Sequence, residues 1–173
     1  MNFLRPVLSA LLVALALIAP EAATAGQKDI QVLQSYVGSW EGRGTFGTDA
    51  EAESIKCRLT VTSAESATVQ FNGICALAGG SVNIRGSLGY FETKNRYEAT
   101  MTSNAAFGGT AIGRRSGSGI DFTMQPTDPD SGANYSVKAG LSLRDDAIVV
   151  KASITDSKSG YTSQADVPMK KKS

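Results

Sequence analysis

The chain has 173 residues, 17 Lys+Arg against 16 Asp+Glu, two cysteines, one tryptophan and no histidine. The missing histidine excludes Ser-His-Asp and Cys-His nucleophilic sites, zinc held by imidazole, and haem held by an axial histidine. A net charge of +1 leaves no excess of Lys/Arg for a nucleic-acid footprint, and 42% hydrophobic with 19% charged residues suits a globular domain.

Residues 1–25 read as a cleaved secretory signal peptide. Arg5 supplies a positive start, and Leu8 to Ala19 forms an apolar stretch of 12 residues interrupted only by Ser9. Pro20 and Glu21 end that stretch, and Ala23-Thr24-Ala25 is a small-x-small cleavage site before Gly26. The run is shorter than the ~20 residues of a spanning helix, so the mature form is expected to carry no transmembrane anchor. No cysteine follows it to accept a lipid. The compact signal is bacterial in style and implies the periplasm or secretion.

The N-terminal segment, 26–37, is expected to hold a short helix. Ile30, Leu33 and Val37 follow an i, i+3, i+7 spacing between Asp29 and Gly38, where the glycine supplies a stop. Everything from 38 to 168 reads with period two. In Ser39–Phe46, Trp40, Gly42, Gly44 and Phe46 share a face; in Glu53–Thr62, Ile55, Cys57, Leu59 and Val61 do so. The alternation continues through Val69–Cys75 to Gly79-Gly80, Val82–Tyr90 to Lys94-Asn95, and Tyr97–Met101. A weaker strand at Gly109–Arg115 precedes Ile120–Met124, which Pro126 and the Asp128-Pro129-Asp130-Ser131-Gly132 loop close. Tyr135–Leu143 leads to Asp145-Asp146, Ile148–Ile154 to Ser159-Gly160, and Tyr161–Val167 comes last. Residues 169–173, ending in Lys170-Lys171-Lys172-Ser173, read as a solvated basic tail.

Each strand with its turn takes about 13 residues, close to hairpin spacing, and no segment is suited to a crossover helix. The predicted fold class is therefore all-β: an antiparallel up-and-down β-barrel of about ten strands with a short N-terminal helix, since closure removes exposed edges. An outer-membrane barrel would need an apolar outer face. Here the polar face carries Lys56, Arg58, Arg85, Glu98 and Lys151. A Lys or Arg at mid-bilayer on a lipid face costs ~2–4 kcal/mol, so a soluble barrel is expected.

Two cysteines in an exported chain suggest a disulfide. Pairing Cys57 with Cys75 sets Leu59 against Gly73 and Val61 against Phe71, with 64–68 as the turn, so the apolar faces coincide. With no CxxC spacing and no helix start to lower a thiol pKa, the pair reads as structural.

The opening Gly38-Ser39-Trp40-Glu41-Gly42-Arg43-Gly44 after a short helix resembles the GxW start of lipocalins and the wider calycin superfamily. Its GxWxGxG form is also similar to nitrobindin-like ten-stranded barrels and to exported barrels of proteobacteria. The resemblance implies that Trp40 packs at a closed barrel end beneath the N-terminal segment. It departs from the pattern in two respects. The haem-ligating histidine of nitrobindin-like proteins is absent, and neither the basic residue that lipocalins set over the tryptophan nor their C-terminal helix is assignable. Lys56-Cys57-Arg58-Leu59 with Ile74-Cys75 is similar to the cysteine arrangement of small periplasmic metalloprotease inhibitors, which implies a protein-interaction or envelope module as the alternative function.

The inward face is rich in small residues, namely Gly42, Gly44, Gly73, Gly86, Ala99, Ala139, Ala152 and Ala165. Ten strands lined in this way leave room for a small apolar or amphipathic ligand, although glycines also serve strand bending. The candidate lining comprises Trp40, Gly42, Gly44, Phe71, Ile84, Leu88 and Tyr90 from the first half of the chain. Tyr97, Met101, Phe122, Tyr135, Leu141 and Ile154 complete it. Arg114-Arg115 reads as a solvated pair, and Asp128, Asp130 and Ser131 as an ordinary turn without the ligand spacing of an EF-hand. No catalytic residue, metal site, cofactor or nucleic-acid partner is expected. The function implied is non-enzymatic binding.

Overall fold

The computed structural model describes residues 21–48, 50–105, 108–126, 135–144 and 146–172. One helix, α1 (Glu21–Ser35), precedes ten strands. They are β1 (Gly38–Gly47), β2 (Ala52–Glu65), β3 (Thr68–Leu77), β4 (Gly80–Phe91) and β5 (Arg96–Ser103), followed by β6 (Gly109–Ser116), β7 (Gly119–Pro126), β8 (Tyr135–Arg144), β9 (Ala147–Asp156) and β10 (Thr162–Lys171). Each strand pairs antiparallel with its sequence neighbours, and β1 pairs with β10, so the sheet is a closed up-and-down barrel. Residues 1–20 of the expected signal over 1–25, the turn at 128–132 and Asp145 lie outside the described residues.

Alternation decides which side of the wall each residue takes. On β2, Ile55, Cys57 and Val61 are buried while Lys56, Arg58, Thr60 and Thr62 are exposed. Cys57 lies opposite Cys75, Leu59 opposite Gly73 and Val61 opposite Phe71, and the two sulfurs form the disulfide. That register holds until Ser63, after which a bulge shifts the pairing to Glu65 with Thr68, so the turn is shorter than 64–68. The charged residues Lys56, Arg58, Arg85 and Lys151 all stand exposed on the outer face.

Two boundaries differ from the sequence reading. The helix begins at Glu21 rather than near Asp29, because the Ala-rich stretch before Asp29 is helix-favouring even without an apolar period. The basic tail is shorter than expected. Met169 to Lys171 belong to β10, where Gly42 takes Met169 as partner and Trp40 takes Lys171. Met169 is buried, and one inward methionine suffices to hold the lysine-rich end in the ladder.

The seam between β1 and β10 is close. A Cβ on Gly42 would lie 2.0 Å from the Pro168 carbonyl oxygen, and one on Gly44 would lie 2.0 Å from that of Asp166. Pro168 has no N–H to give the ladder, and only glycine lets the opposing backbone approach this far. Gly44→Ala is therefore expected to destabilise the fold by about 2–3 kcal/mol through overpacking, read as a lower urea midpoint. Gly79→Ala, where nothing lies within 4 Å of an added Cβ, should leave the midpoint unchanged.

Candidate functional site

The barrel has two unlike ends. β1 leaves α1 directly, so the turns β2–β3, β4–β5, β6–β7 and β8–β9 share the helix end. Leu33 and Tyr36 from the helix segment pack there with Trp40, Val69, Tyr97, Ile120 and Ile148 as a fully buried core. The Trp40 indole N–H donates to the Tyr36 carbonyl at 2.9 Å. Lys171 lays its ammonium 5.5 Å from the centre of the Trp40 ring, a cation–π contact of ~0.5–1 kcal/mol at an exposed site. The tryptophan thus packs at the helix end of the barrel beneath the N-terminal segment, and Lys171 of β10 covers it.

Side-chain hydrogen bonds fix the helix across this end. The Tyr97 hydroxyl donates to Asp29 Oδ1 at 2.7 Å, and Arg115 meets the same oxygen at 3.3 Å. The Tyr36 hydroxyl donates to the Leu141 carbonyl at 3.1 Å, and the Gln34 amide donates to the carbonyls of Glu65 and Ser66. Arg115 stays exposed, as read from the sequence, and reaches Asp29, 86 residues away, as a clasp. Burial pushes the Tyr36 phenol up to about 12, with the nearby Arg115 charge opposing. Burial raises Tyr97 as well, reinforced by its hydrogen bond to Asp29 and by that carboxylate's charge.

The thirteen residues expected to line a cavity divide between the ends. Trp40, Leu88, Tyr90 and Tyr97 are buried in the capped core, where the Tyr90 and Tyr97 rings meet tilted at 59° with centres 5.1 Å apart. They are packing residues. Phe71, Ile84, Met101, Phe122, Tyr135, Leu141 and Ile154 are half-buried, as are Gly42 and Gly44. Met101, Phe122, Tyr135 and Ile154 pack around a second small core of Ala111, Met124 and Val137.

One cross-strand row accounts for the partial exposure. Phe46 pairs with Ala165, Ala165 with Ala152, Ala152 with Ala139, and Ala139 with Phe122. Three alanines on neighbouring strands leave a shallow wall between two phenylalanines, and all five side chains are half-buried. Near the uncapped end, the Gly108 N–H donates to the Tyr135 hydroxyl at 3.2 Å, giving that phenol a partner. Among the described residues no buried side-chain nitrogen or oxygen lacks a partner, and no group of His, Cys, Asp and Glu is arranged to hold a metal. The interior therefore offers apolar contact rather than a polar constellation.

A separate hollow of about 530 Å³ lies on the outer face over β2 to β6. Sequence reading missed it, because its Thr60, Asn72, Arg85 and Thr100 are the exposed members of each alternation.

No protein-family model matches the chain, and no curated protein matches it. Among solved structures, the crystal structure of Rv2717c from M. tuberculosis is similar with a TM-score of 0.69 and 11% identity, covering 84% of this chain and 98% of that one. The S-type phycobiliprotein lyase CPES from Guillardia theta is similar with a TM-score of 0.58 and 10% identity, covering 88% of this chain and 97% of that one. Both likenesses establish the β-barrel fold.

Two measurements check the capped end. Tyr97→Phe and Asp29→Ala should each destabilise by about 1–3 kcal/mol, as for hydrogen bonds to charged groups. The double variant should cost less than their sum, with a coupling of about 1 kcal/mol in urea unfolding. The second concerns alkaline pH. A phenol whose folded pKa lies above its unfolded value adds stability that is complete below the unfolded pKa and is lost above it. Stability should hold to pH 10 and fall between pH 10 and about 12, and Tyr36→Phe should flatten part of that fall in circular dichroism.

Proposed function

We propose that this protein is an exported, soluble barrel that holds a small apolar or amphipathic molecule in the uncapped half of its interior, without transforming it. The observation that carries the reading is the half-buried Ala165–Ala152–Ala139 row between Phe46 and Phe122, beside the fully buried core at the helix end. Apolar walls in a concave, partly open interior suit ligands bound by area rather than by hydrogen bonds.

Export is supported by the signal-like N-terminus and by the Cys57–Cys75 disulfide, which suits an oxidising compartment such as the periplasm. Solubility is supported by outward lysines and arginines, each costing ~2–4 kcal/mol at mid-bilayer on a lipid face. A binding role without catalysis is supported by the absence of histidine from the sequence and by an interior lined with alanine, phenylalanine and methionine.

Filling the row tests the reading. Ala152→Phe should weaken binding of an apolar fluorophore such as 1-anilinonaphthalene-8-sulfonate at least tenfold while leaving the circular dichroism spectrum intact. Lys138→Ala, on the exposed face of β8, should leave binding unchanged. Equal binding by wild type and Ala152→Phe would place the ligand elsewhere.

A further inference from the structure

The outer hollow over β2 to β6 differs from the interior in presenting polar side chains, beside Phe71 and Met101. Its walls are the outward side chains of successive strands: Thr60 on β2, Gln70 and Asn72 on β3, Arg85 on β4, and Thr100 and Thr102 on β5. Thr60, Asn72, Arg85 and Thr102 lie in one cross-strand row, each paired to the next. Gly86 and Gly109 contribute bare backbone to the floor. A Cβ on Gly86 would lie 1.9 Å from the Thr100 carbonyl oxygen, so the strands meet here more tightly than any other residue permits. The Phe71 ring reaches within 2.7 Å of that same Cβ position, and Phe71 and Met101 join Gly86 in lining the groove.

A solvated polar sheet face would be convex or flat and would mix charges. This one forms an open hollow of about 530 Å³, within the ~300–1,000 Å³ range of ligand pockets. Arg85 is the one charged residue among the residues that line it, and no carboxylate joins it there. The Arg85 Nε reaches Thr102 Oγ1 at a long 3.4 Å, and Arg85 forms no ion pair among the described residues. The guanidinium therefore keeps its fork for an oxyanion. Threonine hydroxyls and the amides of Asn and Gln each donate and accept, as the hydroxyls of a polyol do. Strands ~4.8 Å apart repeat such groups across the groove.

We propose that this groove is a second binding site, for a hydroxyl-rich ligand bearing one anionic group, a sugar acid or a sugar phosphate, with Arg85 holding the anion and the threonines and amides holding the hydroxyls. It is independent of the interior site. The anion docks against the guanidinium, and the ring lies across β3 to β5.

The test is amide chemical-shift titration of the mature protein with D-glucuronate, D-glucose 6-phosphate, D-glucose and acetate at constant ionic strength. Saturable shifts at Thr60, Asn72, Arg85 and Thr100 are expected with one or both charged sugars, at least tenfold tighter than with glucose or acetate. Whichever charged sugar responds identifies the anion. Arg85→Gln should weaken that binding tenfold or more, whereas Ala152→Phe should not change it. Unsaturating shifts, equal responses to acetate or glucose, or undiminished binding by Arg85→Gln would overturn the proposal.

Discussion

The rest of the structure depends on how β1 meets β10. A sheet of ten short antiparallel strands is stable as a barrel only if its first and last strands find each other, and here they do so across two glycines and a proline. Gly42 and Gly44 carry no Cβ because the carbonyls of Pro168 and Asp166 occupy that space. Pro168 withholds an N–H where the ladder shows no pairing between Met169 and Asp166. Closure replaces two exposed edges with one continuous wall, and it fixes which side of every strand is inside.

Closure alone leaves both ends open, and among the described residues a helix packs across one of them. The N-terminal helix brings Leu33, Tyr36, Asp29 and Gln34 to the end where four turns and the C-terminus converge. The largest buried side chains concentrate there, while a smaller core of Ala111, Met124 and Val137 with Met101, Phe122, Tyr135 and Ile154 packs elsewhere in the barrel. This division has a simple packing origin. A ten-stranded barrel is too wide for small side chains to fill. A helix laid across one end supplies the missing volume at that end only. The largest core and the hydrogen-bonded clasp of Asp29, Tyr97 and Arg115 thereby share the helix end of the axis.

Much of this was legible in the sequence, for a physical reason. Alternation is a local signal, so it marked all ten strands, and requiring apolar faces to coincide yielded the Cys57–Cys75 register directly. What escaped depends on contacts between distant residues. Asp29 and Arg115 carry no local mark of their pairing, and Lys171 looks like its neighbours in a lysine run until β10 is seen beside Trp40. The candidate lining was legible as a face but not as a depth. Leu88 and Phe71 share the inward side, yet only the position of the helix makes one packed and the other half-exposed. The outer groove escaped for a different reason. Hydrophilic residues facing water are the rule, and concavity arises from how the strands pack at Gly86, which no local pattern encodes.

The disulfide gains its meaning from the seam. Cys57 lies opposite Gly42 on one side and Cys75 on the other, so the covalent link sits in the same cross-strand row as the first glycine of the closure. A slip of one residue between β1 and β2 would turn Trp40 outward and set the side chain of Glu41 or Arg43 against the carbonyls of β10. The staple fixes β2 against β3, while Trp40 holds β1 from the capped end through the Tyr36 carbonyl and Lys171. Register at the seam is thus held from both neighbouring directions. This allows the glycines, which add flexibility and no packing of their own, to stand at the position where the barrel must close.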